Sequence, residues 1–372
     1  IPGRNLKDRD EYWRRYLTGE KDLLGFDVLT LADDYTQLMN DQLEALELNP
    51  NDRVLDLGGG TGNFILHLLE SKQQLPKDIT IADLIPDALS MAGYKLKDKV
   101  QSRPGGTRLN TVCCDIEMNR YLPVYRFLQG EVATFMEFVD KIENVSIQSA
   151  HKIHNLYSPR LHRILRGEKI TPEKEKWLKQ IFELDEIRTI ADFNCAARYI
   201  LGLDKGKPSF KKLIFSEDTR KGLHLPFKVG YYNKIVMSLV LSYIFNPLET
   251  LLETQRILSP GGLLLLSSVR PDADASGLFT RLVKKVEEMD EDSFPENWDK
   301  QLVLNSIRSF LNDAQALVER EEAGTFDFFD LDNLYGLLEE AGFEKIRTIE
   351  TFGNPPQGYI CAASKGTKNE RK

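Results

Sequence analysis

Residues 54–64, Val54-Leu55-Asp56-Leu57-Gly58-Gly59-Gly60-Thr61-Gly62-Asn63-Phe64, carry the clearest chemical pattern in the chain. The apolar Val54, Leu55 and Leu57 read as a short buried strand, and glycines intervene before the pattern turns helical at Phe64. Glycine at a strand-to-helix turn accepts positive φ and lets a ligand approach the backbone closely. The helix that follows offers free N–H groups to an anionic group. Such a loop suits a nucleotide-like cofactor. A dinucleotide fingerprint needs G-x-G-x-x-G, yet the third position is Asn63 counted from Gly58 and Ile65 counted from Gly60. What stands here is acid-x-G-x-G-x-G: Asp56, Gly58, Gly60 and Gly62.

Further carboxylates follow at strand ends. The second strand, Ile79-Thr80-Ile81-Ala82, closes on Asp83, about twenty residues past the loop, where ribose-binding acids sit in nucleotide-binding βαβ units. A carboxylate that accepts both ribose hydroxyls makes strong charge-assisted bonds. The same position also suits the N-cap of a helix over Pro86–Ala92, and one residue can serve both ends. The third strand, Leu109–Cys114, leads to Asp115-Ile116-Glu117. Asp56, Asp83 and Asp115 thus lie near the C-terminal ends of successive strands, the edge at which open parallel sheets bind ligands.

The elements needed to position these acids are legible around them. A helix over Tyr35–Leu48 precedes the first strand. A fourth strand reads Lys234–Leu241, and a helix over Leu248–Leu258 meets Ser259-Pro260-Gly261-Gly262 before the apolar fifth strand Leu263–Ser268. Pro-Gly-Gly is sound stop chemistry for that helix. A helix over Leu331–Ala341, closed by Gly342, leads to strands 344–351 and 358–363, joined as a hairpin through Gly353-Asn354-Pro355-Pro356-Gln357.

Composition narrows the class. The 372 residues, 41% hydrophobic and 28% charged, describe an ordinary globular chain of one large or two ordinary domains. A formal charge of −8 argues against a dedicated nucleic-acid binder while leaving room for a local basic patch. No apolar run approaches the ~20 residues of a membrane span, and no signal peptide is visible at Ile1-Pro2-Gly3-Arg4. The chain opens on Ile1 rather than Met, so a trimmed or longer parent polypeptide is expected. Cys113, Cys114, Cys195 and Cys361 show no C-x-x-C spacing and read as core thiols of a reducing compartment, with the cytoplasm as expected location. His151 and His154 could share a helical face, but no acid stands beside them at ligand spacing, and no metal site is expected.

Taken together, Asp56-x-Gly58-x-Gly60-x-Gly62, the serial acids, the Leu225-Pro226-Phe227 turn before the fourth strand and the Arg256-Ile257-Leu258-Ser259-Pro260-Gly261-Gly262 turn resemble class I S-adenosylmethionine-dependent methyltransferases. The resemblance covers residues 35–117 and 213–364. It implies an α/β fold: a Rossmann-like, seven-stranded, mostly parallel sheet with an antiparallel C-terminal hairpin. It implies S-adenosylmethionine as cofactor and S-adenosylhomocysteine as product. Cofactor contacts would come from Asp56, Leu57, Gly58, Gly59, Gly60 and Gly62, from Asp83 and Leu84, from Asp115 and Ile116, and from Ser238. In this carry-over the glycines approach the methionyl part, and Asp56 fixes the loop or meets the amino group. Asp83 would take the ribose, and Asp115, with Asp218 as its rival, the adenine amino group.

The chain departs from that pattern in places. Tyr232-Asn233 stands where many relatives carry Phe-Asp, and Ser242 stands near where a His is common. The catalytic base is therefore open, with His224, His151 and His154 as substitutes, and a carbon, oxygen or nitrogen acceptor fits equally. Asn354-Pro355-Pro356 is similar to an Asn-Pro-Pro-aromatic motif of some methyltransferases, but it sits in the last hairpin with Gln357 in the aromatic's place and reads as turn chemistry.

The resemblance also divides the chain. Residues 1–34 form an N-terminal cover segment with a helix near Glu11–Leu17, in which Trp13 and Tyr16 share a face; its aromatics either line the site or dock the N-terminus. Tyr12, Tyr16, Tyr35 and Tyr243 are the substrate-facing candidates. Residues 118–212 form an α-helical insertion between strands 3 and 4, a lid or an oligomerisation element, and residues 365–372 a tail. Residues 151–221 carry 16 Lys and Arg against 10 Asp and Glu, a balance that fits either attraction of an anionic small-molecule acceptor or the solvated face of a structural or oligomerising helical bundle. Residues 269–325 are a second helical excursion with a solvated acidic run. A membrane or nucleic-acid partner is not expected, and the insertion leaves room for a homo-oligomer. Rival readings are a nicotinamide-dependent oxidoreductase and a non-methylating protein of the same fold: a cyclase, an aminopropyl transferase or a binding module.

Overall fold

The computed structural model describes residues 6–20, 23–71, 73–101, 106–116, 225–244, 247–274, 276–322 and 328–367. The insertion at 118–212, with His151, His154 and Cys195, and also Asp218 and His224, lies outside the described residues. Residues 9–116 and 225–372 form one compact unit.

Its centre is a seven-stranded sheet in the order β3-β2-β1-β4-β5-β7-β6. The strands are β1 (Arg53–Leu57), β2 (Asp78–Asp83), β3 (Arg108–Cys113), β4 (Tyr232–Ser238), β5 (Leu258–Val269), β6 (Phe343–Thr351) and β7 (Gly358–Lys365). β1 to β5 run parallel, and β7 enters antiparallel between β5 and β6. The helices are α1 (Leu6–Thr18), α2 (Asp33–Leu46), α3 (Asn63–Glu70), α4 (Pro86–Gln101), α5 (Pro247–Ile257), α6 (Ser276–Glu288), α7 (Lys300–Glu322) and α8 (Leu331–Glu340).

Strand alternation builds two cores. Val236, Leu265, Ile360 and Ala362 face one layer with Leu38, Leu43, Ile65, Leu96 and Ile307 from α2, α3, α4 and α7. Ile235, Met237, Leu264, Leu266 and Cys361 face the other, with Leu248 and Leu251 of α5 and Leu334 and Leu338 of α8. The result is a three-layer α/β/α sandwich. Among the described residues no helix is long and apolar enough to cross a membrane.

The two largest shifts of a strand boundary from the sequence expectation lie at β4 and β5. β4 ends at Ser238, three residues early, because Leu239 takes a left-handed φ of 55° and a short 3-10 turn, Leu241–Tyr243, follows. β5 starts at Leu258, since Leu258 already pairs with Tyr232 and Pro260-Gly261-Gly262 falls within a register shift rather than before the strand. Cys113 is exposed rather than a core thiol, because β3 is the outer strand of the sheet; Cys361 is buried.

The two motifs flanking β4 hold each other. Arg256 donates through Nη2 to Leu225 O (3.1 Å) and through Nη1 to Phe227 O (3.2 Å), while Nε and Nη2 bond the Glu253 carboxylate. Glu253 in turn accepts from Leu225 N at 3.0 Å. Arg256→Ala strands the buried Glu253 charge, so it should lower the unfolding free energy by about 3 kcal/mol, with part of that loss recovered in the Glu253→Ala, Arg256→Ala double variant. Urea unfolding of the three proteins checks this; a loss below about 0.5 kcal/mol would show the clamp carries little.

Candidate functional site

Strand order reverses at β1: the chain runs outward through β2 and β3, then returns to β4 on the other side of β1. Ligands of open α/β sheets bind at such a switch point, beyond the carboxyl ends of the strands. The glycine loop springs from β1 at that point. Gly58, Gly60 and Gly62 adopt φ values of 77°, 52° and 78°, which disfavour any side chain. A Cβ at Gly58 would also lie 2.5 Å from Val240 Cγ2, just past β4.

The loop is wound onto the end of β2. Gly58 N and Gly59 N both donate to Ala82 O, at 2.7 and 3.1 Å, and Gly60 N donates to Asp83 Oδ2 at 2.8 Å. Asp83 Oδ1 accepts from Ile85 N at 2.9 Å, just before α4. Asp83 therefore fixes the loop and the approach to α4 together. Burial holds its carboxyl above the usual range, against the amides of Ile85, Gly60 and Leu84.

Asp56 is the opposite case. It is 1% exposed, and among the described residues neither carboxylate oxygen has a hydrogen-bond partner. Burial first, and the charge of Asp83 second, push its pKa up to about 7. Of the two roles the sequence left open for Asp56, fixing the loop belongs to Asp83 in this structure. The backbone still approaches Asp56 closely: a Cβ at Gly59 would sit 2.6 Å from Oδ2. The buried Tyr35 hydroxyl is held well above its ordinary pKa by burial, by Asp27 and by Asp56.

The other sequence-predicted residues fall around this centre in different ways. Leu57 is buried as the last residue of β1. Ser238 accepts from Gln42 Nε2 at 3.0 Å, and the same amide donates to Ser267 Oγ at 2.8 Å, so the end of β4 is tied to α2. Leu84 O accepts from Cys113 Sγ at 3.5 Å, and Ile116 O from Thr250 Oγ1 at 3.3 Å. Asp115 is half-buried after β3, and its charge, second to burial, helps push the Cys114 thiol to about 12. Ser242, near the position where a His is common, is buried and shares a 2.9 Å hydrogen bond with Ser268.

The tyrosine candidates converge. Tyr12 and Tyr16 stack at 6.1 Å, Trp13 lies 5.2 Å from Tyr243, and Phe26 joins Tyr16 (5.8 Å) to Tyr35 (5.7 Å). Tyr16 also packs at 4.9 Å on Phe310 of α7, so these aromatics dock α1. Leu17 of α1 reaches over the loop, with Cδ2 3.1 Å from where a Cβ on Gly60 would be.

Sequence reasoning missed a buried polar cluster beside the loop. Asp27, in the 3-10 turn Gly25–Leu31, accepts from the Thr61 hydroxyl and from Lys95 Nζ of α4 at 3.1 and 3.0 Å. Lys95 Nζ also donates to Asn63 Oδ1 at 2.8 Å. No motif spacing joins residues 27, 61 and 95, although a lysine among the helical residues after Asp83 with an apolar neighbourhood was a faint signal.

A family model described as a methyltransferase domain matches residues 31–348. A search of the curated proteins finds no match. Among solved structures, the chain is similar to a Bacillus halodurans methyltransferase at 12% identity and a TM-score of 0.39, over 88% of this chain and 99% of that one. It is similar to a Thermotoga maritima S-adenosylmethionine-dependent methyltransferase, described as a possible histamine N-methyltransferase, at 11% identity and a TM-score of 0.41, over 96% and 99% of the two chains. A Haloferax volcanii methyltransferase complexed with an activator protein matches at 10% identity and a TM-score of 0.45, over 96% and 99%.

Proposed function

The chain belongs to the class I S-adenosylmethionine-dependent methyltransferases, and from that membership we propose that it transfers a methyl group from S-adenosylmethionine to a small-molecule acceptor. The observation that supports the cofactor assignment is the hydrogen bonding of the loop. A dinucleotide loop must offer free amides to a pyrophosphate. Here the amides of Gly58, Gly59 and Gly60 are spent on Ala82 and Asp83, and among the described residues Asp56 is a buried acid without a hydrogen-bond partner. A buried, unpaired carboxylate favours a cationic ligand. S-adenosylmethionine carries an ammonium and a sulfonium, and the fit is good.

When bound, the sulfonium supplies an electrophilic methyl group. Asp56 would take the amino group, Asp83 the ribose and Asp115 the adenine, with Leu57, Leu84, Ile116 and Ser238 as walls. The protein's own contribution is orientation and exclusion of water. Tyr12, Trp13, Tyr16 and Tyr243 supply an aromatic wall for the acceptor, and α1 with Leu17 shields the loop. The basic balance of residues 151–221 favours an acceptor that also bears an anionic group.

Thermal shift with separate ligands tests the assignment. S-adenosylmethionine and S-adenosylhomocysteine should each raise the melting temperature, as ligands that bind only the folded state do, while NADH and NADPH should not. Absence of a shift with either adenosyl ligand at about 1 mM, confirmed by calorimetry, would remove the reading.

A further inference from the structure

The cluster of Asp27, Thr61, Asn63 and Lys95 has no part in the contacts assigned above, and its geometry ties four elements at one point. α3 starts at Asn63 with Gly62 as its cap, so no side chain caps it, and its first turn holds no acid. A helix start of this kind favours a nearby negative charge. Asp27 brings that charge from a distant part of the chain. It is 6% exposed and accepts the Thr61 hydroxyl within the glycine loop. Lys95 then neutralises it, and its ammonium spends its three hydrogen bonds on Asp27 Oδ1, Asp27 Oδ2 and Asn63 Oδ1.

The 3-10 turn that carries Asp27, Gly25–Leu31, is the next element after α1, which ends at Thr18. Gly19 and Gly25 bring the two ends of that connection together: a Cβ on Gly25 would meet Gly19 N at 2.4 Å and Leu17 O at 2.6 Å. A shift of the Asp27 turn is thus passed to Leu17, which covers Gly60. The far side of α1 is held separately, by Arg15 to Asp313 of α7 at 2.9 Å, and the connection by Leu24 N to Ser306 Oγ at 3.0 Å.

We propose that Asp27 and Lys95 are positioning residues that lock the N-terminal cover onto the glycine loop, so that cover closure and cofactor binding form one coupled unit. Both act through their protein partners, Thr61 and Asn63, rather than through the contacts assigned to the cofactor. Asp27 sets the distance between the Gly25–Leu31 turn and Thr61, and Lys95 holds Asp27 and the first residue of α3 in register. The cofactor part of this proposal rests on the function assigned above, while the locking of the cover does not.

Asp27→Asn, Lys95→Met, Lys95→Arg and the Asp27→Asn, Lys95→Met double variant, in the full chain, test it. S-adenosylhomocysteine binding by calorimetry should weaken about tenfold in Asp27→Asn, and the double variant should be no weaker than that, since both changes break one contact. Lys95→Arg should stay within about threefold of the parent because it keeps charge and donors. Amide exchange of residues 11–20, measured without ligand, should quicken about tenfold in Asp27→Asn while the β-strands keep their protection. A merely structural role would lower the melting temperature and leave binding and local exchange unchanged. Binding within about twofold of the parent, unchanged exchange at 11–20, or fully additive losses would each overturn the proposal. If Asp27→Asn does not fold, Thr61→Val reads the same contact, with an expected loss of about fivefold. If the parent itself binds no S-adenosylhomocysteine, the function assignment fails and the exchange arm alone decides whether the cover is locked.

Discussion

Replacing Asp56 with Asn should make the ligand-free protein more stable at pH 8 and much poorer at binding S-adenosylmethionine. Among the described residues the buried carboxylate has no hydrogen-bond partner, and burial with the neighbouring Asp83 charge lifts its pKa from 3.8 to about 7. A folded-state pKa above the unfolded one means that the folded state binds the extra proton between those values. Stability from this group is therefore greatest in acid and falls as pH rises from about 4 to about 7. Above pH 7 the penalty is fully present and amounts to about 4 kcal/mol. An Asn amide is itself left short of partners, so the net gain of the variant should be about 1–2 kcal/mol at pH 8 and vanish near pH 4.

The groups facing Asp56 are Asp83 and the Tyr35 hydroxyl. A cationic ligand reverses the balance and ionises Asp56, so S-adenosylmethionine binding should strengthen as pH rises towards about 7 and release close to one proton at pH 6. Calorimetry in buffers of different ionisation enthalpy reads that proton directly. Melting curves from pH 4 to 8 that keep the same slope in parent and Asp56→Asn would mean that Asp56 is paired in solution.

Asp83→Ala should cost both fold and affinity. It removes the acceptors of Gly60 N and Ile85 N, and an unpaired buried amide costs about 1–3 kcal/mol. A loss of about 2–4 kcal/mol in urea unfolding and at least about 100-fold in S-adenosylhomocysteine binding is expected. The two roles of this carboxylate can be separated with a cofactor analogue lacking the ribose hydroxyls. If Asp83 meets the ribose, Asp83→Asn should weaken the natural ligand far more than the analogue. Equal losses would limit Asp83 to holding the loop.

The pair Asp56 and Asp83 also marks how far the sequence could be read. Both were legible as strand-end acids, because period-two apolar runs and the glycine turn locate the ends of β1 and β2. Their division of labour was not. Asp83 reads equally as ribose ligand and helix cap, and only the winding of Gly60 onto the end of β2 makes it the anchor of the loop. Likewise, Arg256 and Leu225 were recognised as motif residues, yet that one clamps the other became visible only when α5 packed beside the re-entry turn.

Strand boundaries failed where local hydrophobicity is silent about dihedral angles. Leu239, Val240 and Leu241 are as apolar as the rest of β4, but the left-handed φ at Leu239 ends the strand. Cys113 looked like a core residue because its type is usually buried, whereas its exposure depends on β3 lying at the outer edge. By itself, then, the sequence determined the α/β class, the glycine loop and the acids at the strand ends, all written in short-range periodicity and turn chemistry. The tertiary structure decided which carboxylate is spent and which is free, and it alone joined Asp27 to Lys95 across 68 residues. Such partners are set by which elements pack together, and no local pattern encodes that.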